Sequence, residues 1–317
     1  MGKQVRILFT TDLHGSRKTF LKFLKALKIY KADVGIIGGD LTGKVVVPIV
    51  KTPDGVAVAE YAGQVQVIDS DAKRHEVLLS IEDCGYYPID MSKEEMARLK
   101  SDSQYFTTTF QTAVSDRLKQ WTDMARERLN GTGINVYITG GNDDYLELDD
   151  VLRASDSMTF AEGKIEMIGG THEMISSGYA NITPWKCPRD VTEEELYTRI
   201  DKMAQKVSNL ETAIFNLHCP PIDTMLDRCT QLDTSYDPPR PLIGVDASGG
   251  SVSVRKIVEK YQPALSLHGH IHESRGIDRI GRTTCLNPGS EYSEGILRSV
   301  LVNLGEKKVD SFQFLSG

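Results

Sequence analysis

Five short apolar runs in this chain each stop at a cluster of glycine and metal-competent side chains, and this pattern constrains the fold more than any other feature. The runs are Val5 to Thr10 before Asp12, Val34 to Ile37 before Asp40, Val136 to Thr139 before Asn142, Ala213 to Leu217 before His218, and Ala264 to Leu267 before His270. Runs this short, rich in Val and Ile and bounded by glycine, predict buried strands. Helical periodicity fills the gaps at Arg17 to Tyr30, Met91 to Lys100, Tyr105 to Leu129, Thr192 to Val207 and Val252 to Tyr261. Ser92 before Glu95 and Thr192 before Glu195 have the spacing of capping boxes. Strand and helix thus alternate, which predicts an α/β sheet covered on both faces, with its functional groups at the carboxyl ends of the strands.

Two regions break the alternation. Val45 to Leu79 contains alternating β-branched runs joined at Asp54-Gly55, which predicts a small antiparallel hairpin insertion over 45–79 within one domain spanning 1–317. Arg282 to Phe314 also reads as strands, with a turn at Asn287-Pro288-Gly289-Ser290. The net charge of -7 opposes any general affinity for nucleic-acid backbone or anionic membrane, while leaving room for a local cationic site. No apolar run approaches the length of a membrane span, and five scattered cysteines without a CxxC pair fit reduced thiols in the cytoplasm.

The polar clusters can be weighed singly. Asp12-Leu13-His14 can direct two side chains to one ion where the strand frays into a loop, although such a pair on its own also fits a solvated loop. Gly38-Gly39-Asp40 lets the chain turn sharply and projects a carboxylate whose two oxygens can bridge two cations. Gly140-Gly141-Asn142 repeats the device with a neutral oxygen, and it fits a plain turn equally well. His218 is followed by Pro220-Pro221, which stiffens its loop, and Gly269-His270-Ile271-His272 adds two imidazoles. Together Asp12, His14, Asp40, Asn142, His218, His270 and His272 form a nitrogen and oxygen donor set without thiolate. That set suits Mn²⁺, Fe or Zn²⁺ and argues against a structural zinc knot.

The order Asp-x-His, Gly-Asp, Gly-Asn, His, Gly-His-x-His, running from Asp12 to His272, resembles the calcineurin-like metallophosphoesterase family. The resemblance implies a four-layer α/β/β/α sandwich in which the C-terminal strands build a second sheet. It implies one metal held by Asp12, His14, Asp40 and His272 and a second held by Asp40, Asn142, His218 and His270. It further implies that the loop Asn287 to Ser290 borders the active site. The expected activity is two-metal hydrolysis of a small-molecule phosphate ester, a diester ahead of a monoester, by hydroxide formed from a bridging water. A protein serine/threonine phosphatase, or a degenerate member that binds nucleotide or scaffolds partners, are the alternatives.

At the third motif the chain departs from the family, with Gly141-Asn142-Asp143-Asp144 where Gly-Asn-His is usual. The general acid is therefore in doubt. Asp143 joins Asp40 and Asn142 as an expected catalytic group, ionised beside the cations and unable to give a proton. Arg17, at the start of the first helix, and His172, on the Gly169-Gly170 turn, are expected with Asn142 to contact substrate.

Overall fold

The computed structural model describes residues 4–52 and 54–317. Two six-stranded sheets form its frame. The first runs in the order Val309–Ser316, Arg298–Leu304, Val5–Thr10, Val34–Ile37, Asn135–Ile138 and Thr159–Phe160. The second runs Gly276–Ile280, Thr283–Asn287, Leu265–Leu267, Ile214–Leu217, His172–Ser177 and Ile165–Ile168. Each sheet has a parallel block of four strands, with two antiparallel strands added at one edge of the first and one at each edge of the second.

Burial on both faces explains why these strands read as continuous apolar runs rather than alternating ones. Val5, Ile7, Phe9, Val34 and Ile36 of the first sheet pack with Met174, Ile214, Leu265, Leu267 and Leu286 of the second in one core. The opposite face of the first sheet, with Leu8, Ile37, Val136 and Ile138, is covered by Phe20, Phe23, Leu24 and Leu27 of helix Arg17–Ile29 and by Val114, Leu118, Trp121 and Ala125 of helix Ser103–Leu129. Phe20 and Trp121 stack there with ring centroids 4.2 Å apart. Removing a buried aromatic of this kind costs about 3–5 kcal/mol. Ile175, Phe215 and Leu217 face Leu196 and Ile200 of helix Glu193–Ala204 and Val254, Ile257 and Val258 of helix Val252–Tyr261.

Helix starts follow the caps. Ser92 accepts from the Glu95 amide at 3.1 Å while Glu95 accepts from the Ser92 amide at 2.7 Å, a complete capping box. At Thr192 only the first half forms, with the Glu195 amide at 3.2 Å. No described helix is long and apolar enough to cross a membrane.

Two readings need correction. Of the C-terminal strands, only Thr283–Asn287 joins the second sheet, whereas Arg298–Leu304 and Val309–Ser316 return to the first and pair antiparallel with Val5–Thr10 and with each other. Strand pattern predicts extended backbone and says nothing about partners. The region after Gly43 is also more than a hairpin. Val46–Lys51, Ala57–Tyr61 and Gln64–Ile68 form an antiparallel run, helix Asp71–Asp83 follows, and Tyr87–Met91 closes a four-stranded sheet by pairing parallel to Val46–Lys51. The helix escaped notice because its charged sequence buries only Val77 and Ile81, one turn apart.

Candidate metal centre

Register brings the carboxyl ends of the parallel strands level within each sheet. Thr10 pairs with Ile37 and Ile37 with Ile138 in the first sheet, and Ser177 pairs with Leu217 and Asn216 with Leu267 in the second. The loops that follow therefore converge. Ligand atoms of Asp12, His14, Asp40 and His272 lie within 4.8 Å of one another, and so do those of Asp40, His218 and His270. Asp40 belongs to both groups, with Oδ2 3.6 Å from His14 Nε2 and Oδ1 3.4 Å from His218 Nε2. Asn142 joins the second group through Oδ1, 2.9 Å from His270 Nδ1.

The backbone is bent to achieve this. Asp12, His14, Asp40 and His270 are four of the nine non-glycine residues with positive φ among the described residues, at 53°, 41°, 47° and 66°. Such conformations cost on the order of 1 kcal/mol or more each and persist only where the surroundings fix them. Here the Asp12 amide donates to Gly39 O and the His14 amide to Asp40 O, both at 2.9 Å. The His270 amide donates to the Asp12 carboxylate at 3.1 Å. Gly141 is required by contact rather than by φ, since a Cβ there would lie 2.0 Å from Asp40 Oδ1.

Ring orientation fits a cation. His218 Nδ1 lies 2.9 Å from Gly38 O and His14 Nδ1 3.3 Å from Thr42 O. A ring nitrogen facing a carbonyl carries the proton, so in the neutral rings the Nε2 lone pairs aim into the cluster. His218 Nε2 is buried there without a hydrogen-bond partner. The Asn142 amide nitrogen donates to Asp190 Oδ1 at 3.1 Å, which turns its oxygen inward. Asp190 Oδ2 in turn accepts from the Thr183 and Cys187 amides, both at 2.9 Å, fixing the loop behind it.

The electrostatics make the same demand. Burial holds His14 and His270 neutral, with pKa values lowered to about 3. Burial pushes Asp40 up to about 6, against the pull of His218. For His218, burial opposes the charge, but Asp40 and Asp12 outweigh it and raise the pKa to about 10. That proton supplies positive charge that two buried carboxylates require, and a divalent cation on the same lone pair would supply it instead. The donor set, the orphaned nitrogen and the fixed tautomers all fit divalent metal ions.

Of the remaining site expectations, Asp143 reaches the cluster. Its amide donates to Asp40 Oδ1 at 3.1 Å, its carboxylate pairs with the Lys44 ammonium, and the Cys187 thiol donates to it at 2.8 Å. Burial works to raise its pKa, but the Lys44 ammonium and the Cys187 thiol outweigh burial and hold the carboxyl below its usual range. Ser290 of the Asn287 loop donates to Asp12 O at 2.6 Å.

Arg17 and His172 do not reach the site. Arg17 turns toward helix Asp71–Asp83, 3.4 Å from Asp83 Oδ1 and 3.7 Å from Glu82 Oε2, because those carboxylates give its guanidinium charged partners close at hand. His172 begins strand His172–Ser177, whose far end is the one beside His218, so about 16 Å of strand separates them. It is buried with Nδ1 2.8 Å from Thr212 O.

Sequence reasoning missed Lys44, Asp144, Asp190 and Tyr292. Asp144 is buried and accepts from the Leu41, Thr42 and Gly141 amides at 2.9, 3.0 and 2.8 Å and from the Thr42 hydroxyl at 2.6 Å, tying the second and third motif loops together. The Tyr292 ring lies 4.6 Å from that of His14. Asp144 and Lys44 each lie within four residues of an expected ligand, which was the available signal.

No family model matches the chain. An uncharacterized protein of Methanocaldococcus jannaschii, MJ1162, is 38% identical over 127 residues, which cover 39% of this chain and 50% of that protein. The match thus spans about half the length of this curated relative. TT1561 of Thermus thermophilus superposes with a TM-score of 0.55 at 14% identity, covering 99% of each chain. Another solved structure reaches 0.57 at 13% identity, covering 98% of this chain and 99% of its own. The chain shares the fold of these structures, and in the order and convergence of its five motifs it resembles the calcineurin-like metallophosphoesterases.

Proposed function

We propose that this protein is a metal-dependent phosphoesterase that hydrolyses a small-molecule phosphate ester with two divalent cations. One observation carries the reading: Asp40 offers an oxygen to each of two ligand groups. Asp12, His14, Asp40 and His272 would hold one cation, and Asp40, Asn142, His218 and His270 the other. Such cations polarise a phosphoryl oxygen and lower the pKa of an attacking water. The chain's own contribution is placement: strained loops, tautomers fixed by backbone carbonyls, and an amide turned by Asp190.

On this reading the two sheets and their outer helices form a four-layer α/β/β/α sandwich, and Mn²⁺ is the metal best matched to the donors. Diesters are preferred over monoesters, and segment 46–91 shapes the substrate rim. Five free cysteines support a reducing compartment, the cytoplasm. The test is metal analysis coupled to hydrolysis of an aryl phosphodiester and an aryl phosphomonoester. Turnover should vanish on chelation and return with Mn²⁺. A protein that binds two ions and cleaves neither ester would be a binding or scaffolding protein instead.

A further inference from the structure

Resting on that reading, we propose that Lys44 is a substrate-contacting residue whose ammonium donates to the leaving-group oxygen of the ester. Among the described residues, Lys44 is the one lysine or arginine paired with Asp143, and no lysine or arginine pairs with Asp12 or Asp40 themselves. Through Asp143 it stands beside the centre: the Asp143 amide is 3.1 Å from Asp40 Oδ1, and Asp143 Oδ2 is 4.0 Å from His14 Nδ1. Asp12, His14, Asp40 and His218 are at most 3% exposed, whereas the side chains of His272, Asp143 and Lys44 are 34%, 15% and 59% exposed, so the cluster opens on the side of these three.

Its backbone is anchored although its side chain is not. The Gly43 amide donates to the Tyr87 hydroxyl at 2.7 Å, and a Cβ at Gly43 would lie 1.8 Å from Gly85 O. Lys44 therefore leaves a fixed point where segment 46–91 joins the frame. A phosphoryl group held by buried ligands is attacked and left roughly in line, so the departing oxygen points away from the attacking water. At a centre open on one side, that direction is outward, where Lys44 stands.

An ammonium has three N–H donors, and the pairing with Asp143 occupies one. The attacking water's oxygen bonds to phosphorus and gives a proton to solvent as the bond from phosphorus to the leaving oxygen breaks; that bond's electron pair leaves with the oxygen, and a Lys44 N–H steadies the developing charge while the lysine keeps its proton. The alkoxide then takes a proton from solvent. Because Asp143 balances the ammonium, the contribution is a directed hydrogen bond and not a surplus of positive charge.

The experiment compares wild type, K44Q and K44R across phosphate esters of graded leaving-group pKa, with metal content and orthophosphate affinity of the metal-loaded proteins measured alongside. K44Q should slow alkyl esters by about 10²- to 10³-fold, the cost of one preorganised donor. Activated aryl esters should slow by about tenfold or less, because their leaving oxygen needs little help. K44R should recover part of the loss, metal content should stay at the wild-type value, and orthophosphate should bind K44Q several-fold more weakly. An equal loss across the series, or a loss of metal, overturns the role of Lys44. A wild type that binds metal and orthophosphate yet hydrolyses no ester overturns the function instead, and the orthophosphate affinity of K44Q still reports the contact.

Discussion

The loops that gather the metal cluster and the ribbon Arg228–Asp233 with Arg240–Ser248 both lie outside the two main sheets, yet they are built on opposite principles. The cluster loops are buried, hold four positive-φ side-chain residues and are cross-tied by Asp144 and Asp190. The ribbon is solvent-exposed along nearly all of its second strand, with Ile243 96% exposed. It is tied chiefly at its base, where the Ser274 hydroxyl donates to Arg228 O and the Thr230 amide to Glu273. Strain can be stored only where neighbouring contacts over-determine it. The cluster therefore has little tolerance for change, whereas the ribbon has much.

The cluster should be most sensitive at its shared carboxylate. Asp40→Asn should leave fewer than two ions bound, and its cost in turnover should exceed the roughly 10²- to 10³-fold expected for losing a single donor. Asp12→Asn should be milder, since Asp12 belongs to one ligand group. Metal analysis with steady-state rates decides it, and two ions with wild-type turnover in Asp40→Asn would refute the shared position.

Next comes the support beneath the ligands. Asp144→Ala strands four donors from Leu41, Thr42 and Gly141 in a buried site. The expected loss is about 3 kcal/mol or more by denaturant unfolding. A loss under about 1 kcal/mol would mean that water replaces the carboxylate.

A smaller effect is expected from Glu162, at the edge of the frame, where its carboxylate accepts from the Gly178 amide at 2.7 Å. Burial raises its pKa to about 7, against Arg189 and that amide. The raised value means that the folded state keeps a proton the unfolded chain gives up. Its contribution is fully present below the ordinary glutamate pKa and is lost as pH rises through about 7. Glu162→Gln should flatten the fall in stability across that window by about 1–3 kcal/mol. Thermal or chemical unfolding at acidic and alkaline pH reads it, and an unchanged slope would assign the fall to other groups. Last, Ile243→Ser on the ribbon should change stability by no more than about 0.5 kcal/mol. A larger loss would show that the exposed strand is covered in solution.

Much of the frame was legible because local physics writes it locally. The five strands before the cluster fall within a residue or two of where Val, Ile and glycine punctuation place them, and helix Arg17–Ile29 follows its apolar spacing. Helix Asp71–Asp83 was missed because it leans on Val77 and Ile81 alone. The residues of the cluster stood out because each follows a strand end, where side chains from separate strands meet. Arg17 and His172 looked similar in one dimension and failed in three.

The alternation of strand and helix, the donor types and their order are legible along the chain, since these depend on side-chain chemistry and on neighbours a few residues away. Three-dimensional packing settled which donors gather into each of the two groups, that the last two strands return to the first sheet, and that Lys44 and Asp143 meet. Those outcomes depend on register and on loop closure between residues as far apart as Asp12 and His272, and no spacing along the chain encodes such distances.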